Sequence, residues 1–153
     1  ASGTDVNVDA ISSTTTYAVY HRDLAYNWSN GVSTIVTVSG GSSSATDYFR
    51  SKASGNWSST STWESSSDNS AWIDATLTPN SDANTISILG THTVTLDANT
   101  SVSNTYIFGV GILHVSPNVA LTIPTGKVIS NSGNFILKSD ATGTACLVLI
   151  LVD

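Results

Sequence analysis

Short apolar segments recur at a nearly constant spacing in the second half of the chain. The segment at residues 85–89 (TISIL) is echoed at residues 105–109 (TYIFG), 126–130 (GKVIS) and 146–149 (CLVL). Successive segments start about 20 residues apart, and repeats of roughly 20–29 residues are typical of solenoid proteins, in which each repeat forms one coil. This spacing constrains the fold more than any other feature of the sequence.

Two further rows of segments keep the same step. Residues 93–96 match residues 112–115 and 135–138, and residues 100–102 match residues 121–123. Three strands per coil would stack like on like, about 4.8 Å apart, and would bury a continuous apolar core. We therefore predict an all-β fold that contains a short right-handed parallel β-solenoid, or β-helix, of about three to four coils.

The region before the repeats divides into two parts. Residues 46–84 are rich in serine and hold three tryptophans. Because a buried indole removes about 150–250 Å² of surface from water, we predict that this segment caps one end of the coils, which span residues 85–153. Residues 1–45 contain three short stretches of alternating apolar and polar side chains, which predict an N-terminal β segment, either an arm or a small sheet.

The chain has an unusually low content of charged residues. They make up 10% of the sequence, against about 25% in a typical globular protein, so serine, threonine and asparagine must supply the polar surface. The five basic residues are scattered and the formal charge is -6, which argues against nucleic acid as a partner. The longest apolar run, at residues 146–152, is too short to cross a bilayer as a helix, and Cys146 within it is expected to be a small buried hydrophobe.

No arrangement of residues indicates catalysis. Glycosidases and lyases on β-helices need converging carboxylates, whereas the predicted coils contain only Asp97, Asp140 and Asp153. The three histidines are too dispersed for a zinc motif, and no P-loop, dinucleotide or nucleophile-elbow motif occurs. We predict a protein that is not an enzyme and has no catalytic residue, no metal site and no cofactor, with calcium held open as an alternative through Asp74 and Asp82.

One stretch of the chain is similar to a known group of proteins. Residues 54–64 (SGNWSSTSTWE) are followed by Pro79 and by the segment THTVT at residues 91–95. This order of elements, within residues 48–125, resembles the start of the β-helical region in large secreted surface proteins of gliding and marine bacteria, which are exported by the type IX secretion route. The resemblance implies a location outside the cell and an adhesin-like role. The long later domains of such proteins do not follow here, so a fragment, a processed form or a short subunit is expected.

A solenoid leaves an open layer of backbone groups and apolar side chains at any end that lacks a cap. Because residues 146–152 are apolar and have no polar cap after them, we predict a structural or adhesive module that stacks on a further coil, either of a longer chain or of a neighbouring subunit, within a surface fibre or a larger surface protein. The strand-like N-terminus is a second candidate for such β-augmentation. The predicted assembly residues are Val6, Val8, Leu147, Val148, Leu149, Ile150, Leu151 and Val152.

A carbohydrate-binding module is the alternative interpretation. Flat aromatic rings can stack on the apolar face of a sugar, so that a polysaccharide would be the partner. For each ring, packing in the core or the cap competes with this role. The tryptophans that such a module would use are Trp28, Trp57, Trp63 and Trp72.

Overall fold

The computed structural model describes residues 15–19, 32–36 and 41–151, and the chain divides into two compact units, Ala1–Gly40 and Gly41–Asp153. In the first unit, β1 (Thr15–Val19) pairs antiparallel with β2 (Val32–Val36). Across the described residues the secondary structure is β apart from one short 3₁₀ turn, and none of them forms an α-helix. The all-β prediction is confirmed for this part of the chain.

The second unit is built from three sheets whose strands come in rotation along the chain. The first sheet contains β3 (Tyr48–Ser51), β5 (Trp63–Ser66), β6 (Ile73–Asp74), β7 (Ile86–Ile88), β10 (Thr105–Ile107) and β13 (Ile129–Asn131). The second sheet contains β4 (Gly55–Asn56), β8 (Thr93–Leu96), β11 (Ile112–Val115) and β14 (Asn134–Leu137). The third sheet contains β9 (Thr100–Ser101), β12 (Ala120–Ile123) and β17 (Cys146–Leu149). Between β14 and β17, β15 (Ser139–Asp140) and β16 (Gly143–Thr144) form an antiparallel hairpin.

Each passage of the chain through the three sheets adds one layer of strands. The strands β7, β8 and β9 form one layer, and β10, β11 and β12 form the next. The strands β13, β14 and β17 form the last, which we call the C-terminal layer. Strands of successive layers pair in parallel within each sheet, and β3 and β4 add a partial first layer by parallel pairing with β7 and β8.

Side chains at equivalent positions of successive layers form apolar columns between the sheets. Val94, Leu113 and Phe135 share one register position in the second sheet. Val94 and Leu113 are fully buried, and Phe135 packs against the core that contains them. The alternation of apolar and polar residues in each strand directs every second side chain inward. Other fully buried side chains are Phe49, Trp63, Ile86, Ile88, Leu96, Val102, Val115 and Leu121.

The strand register agrees with parts of the predicted rows and corrects the rest. Residues 93–96 pair with residues 112–115, and Thr100 pairs with Leu121, as the second and third rows predict. Ile112 pairs with Asn134 rather than with Phe135, so the segment at residues 135–138 is displaced by one residue. Thr105 pairs with Ile86 and with Ile129, so the first row is displaced as well.

The prediction that β17 continues the row of residues 126–130 is wrong, because β17 pairs with β12 in the third sheet. The step between these paired strands runs from Ala120 to Cys146, or 26 residues, since the hairpin β15–β16 lengthens the last connection. The spacing of about 20 residues to the first row was a coincidence.

The prediction that Cys146 is buried is also wrong, because this cysteine is exposed. Leu147 pairs with Leu121, which is fully buried, so the inward position of β17 falls on Leu147. Successive side chains of a strand point to opposite faces of the sheet. Cys146 therefore lies on the outer face of the third sheet.

The tryptophan-rich segment both supplies strands to the stack and covers its first layer. β3 and β4 belong to this segment, so the stacked strands begin at Tyr48 rather than at Thr85. β5 pairs antiparallel with β3, and β6 with β5, which makes the first sheet mixed. We call the 3₁₀ turn at Thr60–Thr62, β5, β6 and residues 75–83 together the cover.

Candidate assembly surface

The inward-facing side chains of β17 are exposed to solvent. Leu147 and Leu149 occupy the register positions of Leu121 and Ile123 in β12. Leu121 is 0% exposed and Ile123 is 7% exposed, whereas Leu147 and Leu149 are 36% and 59% exposed. The difference arises because β17 pairs along one edge of β12, whereas no described strand pairs along the outer edge of β17.

The second sheet shows the same contrast. Val115 is fully buried, whereas its register partner Leu137 in β14 is 43% exposed. Leu137 is not among the assembly residues predicted from the sequence, although its place two residues after Phe135 in an alternating strand is the signal that could have identified it. Asn131 occupies the register position of the buried Ile107 and is the polar member of the inward-facing side chains of the C-terminal layer. We call the apolar members the apolar end; they are Ile129, Phe135, Leu137, Leu147 and Leu149.

The C-terminal layer also presents three strand edges. Each of β13, β14 and β17 is paired with one neighbour only among the described residues. In a parallel ladder the hydrogen-bonding groups of a strand alternate between its two sides, so about half of the N–H and C=O groups of an edge strand face away from the sheet. Such edges pair readily with an added strand. The surface therefore offers apolar contact and directional hydrogen bonding together.

The other predicted assembly residues fall in different places. Val148 alternates with Leu147 and Leu149 and lies on the outer face of β17. Ile150 and Leu151 follow the strand and are 50% and 84% exposed. The structure thus brings Leu147 and Leu149, but not Val148, to the apolar end. Val6, Val8 and Val152 lie outside the described residues.

Two buried tryptophans close the opposite end of the stack. Trp57 and Trp63 are 2% and 0% exposed, and their rings meet edge to face with centres 4.9 Å apart. The indole N–H of Trp57 donates to the carbonyl oxygen of Pro79, and that of Trp63 donates to the carbonyl oxygen of Trp57, both at 2.9 Å. Each buried indole therefore has its polar atom satisfied. Neither ring presents a free face on which a sugar could stack.

Trp72 is partly exposed and packs against a charged pair. The guanidinium carbon of Arg50 lies 4.1 Å from the centre of the Trp72 ring, a cation–π contact. The Nε atom of Arg50 donates to Glu64 at 2.7 Å across the antiparallel β3–β5 pair. Arg50 thus occupies one face of the Trp72 ring. Trp28 lies outside the described residues.

Two further rings form an aromatic surface that sequence analysis did not single out. Tyr106 and Phe108 are stacked with their centres 6.1 Å apart and their planes at 16°. Phe108 is 46% exposed, and Tyr106 is partly exposed. The two residues stand two positions apart at the end of β10, so an alternating strand places both on one face.

A buried serine and a histidine meet where the first sheet leads into the following turn. The Ser51 hydroxyl lies 2.8 Å from Nδ1 of His92 and accepts a hydrogen bond from the N–H of Leu89. Ser51 is fully buried, so this pair connects the first sheet to the following turn and offers no accessible nucleophile. Within residues 41–151 no three metal-binding side chains cluster. Asp74, considered as a calcium ligand, is paired with Lys52.

Two of the three carboxylates that the sequence places in the predicted coils accept local hydrogen bonds, and the third, Asp153, lies outside the described residues. Asp97 accepts from the N–H and the hydroxyl of Ser58, at 3.1 and 2.5 Å. Partial burial raises the pKa of Asp97, but these hydrogen bonds outweigh that effect and the pKa is lowered overall. The hydroxyl and N–H of Thr142 lower the pKa of Asp140 in the same way. Neither carboxyl group is held protonated, as a general acid near neutral pH would need to be.

The comparisons with known proteins add no relative. Among the described residues, no helix has the length and apolar character needed to span a membrane. No protein-family model, curated protein or solved structure matches the chain. The function must therefore be inferred from the geometry of this chain alone.

Proposed function

We propose that residues 48–151 form a short right-handed parallel β-solenoid and that the protein is a non-catalytic structural or adhesive module, which takes up a further layer of β-strands on its apolar end. One observation carries the proposal: Leu137, Leu147 and Leu149 are exposed at register positions that are buried one layer earlier. The rotation of the strands through three sheets, with parallel pairing between successive layers, supports the solenoid. Crossovers between parallel strands of one sheet are right-handed in nearly all proteins, which supports the handedness.

The energetic argument favours an added layer of the same kind. Burying one leucine side chain fully is worth about 1.5–3 kcal/mol, so covering the partly exposed leucines of the apolar end stabilises the complex by several kcal/mol before the loss of entropy is subtracted. A flat apolar partner would bury these side chains but would leave the strand edges unpaired. A layer of strands would bury the leucine side chains and would also pair with the strand edges. We propose that it comes from a neighbouring subunit.

We also propose that the protein acts outside the cell, on or near the outer surface. Two features of the chain support this location: the low charge content, with a polar surface of serine, threonine and asparagine, and the resemblance of residues 48–125 to the β-helical regions of secreted surface proteins. In that setting, stacking through the apolar end would build a larger surface structure.

Hydrogen exchange followed by mass spectrometry at increasing protein concentration tests the proposal. We expect the amides of β14 and β17 to become more protected as the concentration rises, while those of β8 keep their rates. Leu149→Asp should abolish the concentration dependence because it places a charge in the apolar end. Val110→Asp is the matched control, since Val110 is 70% exposed and is not part of that surface. Rates in β14 and β17 that are the same at every concentration would contradict the proposal.

Polysaccharide binding is a second candidate, favoured by the stacked pair of Tyr106 and Phe108. The exposed ring of Phe108 is free to stack on a sugar, whereas Trp57 and Trp63 are buried. Affinity electrophoresis in gels that contain soluble polysaccharides tests this candidate. Phe108→Ala should then remove the retardation, whereas Leu77→Ala, at a comparably exposed apolar position, should leave it unchanged. Migration that no polysaccharide alters would count against it.

A further inference from the structure

The two ends of the stacked strands differ in a way that limits how the chain can assemble. At the first layer, Trp57 and Trp63 are buried and hydrogen-bonded beneath the cover. Ala75 and Ala83, in the connection that follows β6, are 8% and 1% exposed. At the C-terminal layer the inward-facing side chains are open to solvent. An added layer can therefore be stacked at one end only, unless the cover unfolds.

Given the proposed function, on which this inference rests, we propose that the occupant of the apolar end is the apolar end of a second copy of this chain, so that two copies stack about a two-fold axis and assembly stops there. Head-to-tail stacking would require the apolar end of one copy to meet the cover of the next, which offers no open layer of strands. When one surface binds itself, the interface is isologous and closes at two copies. The fibre expected from the sequence is then not built by repeated stacking of this chain.

Strand direction and length fit such a pairing. A two-fold axis perpendicular to the stack makes every strand contact across the interface antiparallel, a geometry that suits edge-to-edge pairing. The axis that passes through β13 pairs this three-residue strand with itself, and pairs β14 with β17 of the second copy, both of which have four residues. All strands of the layer then find a partner of equal length.

The charge of the C-terminal layer permits contact between identical copies. Residues 126–151 contain Lys127, Lys138 and Asp140, which gives a formal charge of +1, although the whole chain carries -6. The repulsion that would oppose association of two like-charged molecules is therefore small at this face. A strongly charged end would instead call for a partner of opposite charge.

Analytical ultracentrifugation of the full chain tests the inference. We expect a reversible equilibrium between monomer and dimer, with no larger species at the highest concentration. Leu149→Asp should raise the dimer dissociation constant by about 30-fold or more, as expected for a charge buried in an apolar interface. Val110→Asp should leave the dissociation constant unchanged, and far-UV circular dichroism should confirm that both variants are folded.

The single cysteine of the chain offers a second measurement that needs no destabilising variant. Cys146 lies on the outer face of β17, beside the proposed interface, and can carry a nitroxide spin label. Pulsed dipolar spectroscopy should then report two coupled labels per assembly with one dominant distance.

The possible failures are distinguishable. A monomer at every concentration would overturn both the inference and the proposed function. A series of assemblies larger than two that Leu149→Asp abolishes would overturn the two-copy limit and leave the proposed function standing. A dimer that Leu149→Asp does not weaken would overturn the choice of this surface.

Discussion

At the scale of single residues, Gly111 shows how closely the layers approach one another at a turn. A Cβ atom on this residue would lie 2.8, 2.9 and 3.2 Å from the carbonyl oxygens of Leu89, Phe108 and Ile88. These are backbone atoms held in the stack, so they cannot move aside as a flexible side chain would. We expect Gly111→Ala to lower the free energy of unfolding by about 2 kcal/mol, measured by urea denaturation.

A second glycine provides the control for this substitution. A Cβ atom on Gly41 would have Ile73 Cδ1 as its nearest neighbour, at 3.5 Å, which is an ordinary contact. Gly41→Ala should therefore change the free energy of unfolding by less than about 0.5 kcal/mol. Equal losses of unfolding free energy in the two variants would show that the close approach of the carbonyl oxygens to Gly111 is not the cause of the loss.

His114 makes stability depend on pH. Burial of the imidazole and the nearby charge of Lys138 hold the pKa of His114 below its ordinary value of 6.5. The folded protein thus binds a proton at this site less readily than the unfolded chain does. The contribution of His114 to stability is therefore complete above pH 6.5 and is lost as the pH falls through the folded pKa.

The prediction is a loss of unfolding free energy between about pH 7 and pH 5 that His114→Gln reduces. Lys138→Gln should reduce the same loss in part, because it removes one of the two causes. Urea titrations at a series of pH values measure the effect, and taking the difference between the wild type and His114→Gln isolates the contribution of His114. If the two proteins lose stability in parallel over this range, the assignment to His114 is wrong.

At the scale of elements, the hairpin β15–β16 is an insertion into an otherwise regular stack. Ser139–Thr144 stands where the layer before has only Pro117 and Asn118, because Lys138 and Ala145 occupy the positions of Ser116 and Val119. Almost all of the hairpin is exposed. We expect that replacing residues 139–144 by Pro-Asn keeps the β-type circular dichroism spectrum and lowers the unfolding free energy by less than about 1 kcal/mol. Loss of the cooperative transition would show that the hairpin holds β17 in place.

The elements that the sequence could predict are those whose pattern is local. The segments that form β8, β11 and β12 were identified by their recurring step, and each of them is recognisable within four residues because the strand buries every second side chain. The partner of β17 could not be predicted in this way. An exposed six-residue hairpin has no apolar residues that would reveal it in the sequence. Its insertion therefore lengthens the step between β12 and β17 without changing the apolar pattern of β17 itself. β3 and β4 were missed as stacked strands because Gly55 stands at the position that Val94 and Leu113 hold in later layers, and Ser51 follows Arg50 where Ile88 follows Ser87.

At the scale of the whole molecule, the sequence predicts an uncovered end of the stack but does not indicate which side chains form it. The apolar character of residues 146–152 is the reason why the sequence predicts an uncovered end. Leu137 and Phe135 join that end only through the register of β14 on β11. The tryptophans show the converse. The sequence is compatible both with stacking on sugars and with packing in the core, and it is the burial of Trp57 and Trp63 in the structure that identifies packing.

The division into two units leads to the last prediction. Every buried apolar side chain in the described core lies between Phe49 and Ala145, and the second unit begins at Gly41. Removing residues 1–40 should therefore leave a cooperative unfolding transition within about 1 kcal/mol of the full chain. The truncated chain also separates two assembly hypotheses. If the apolar end alone drives association, ultracentrifugation will give the same dimer dissociation constant with and without residues 1–40. If Val6 and Val8 add a strand to a neighbouring molecule, truncation will weaken association while Leu149→Asp has little effect.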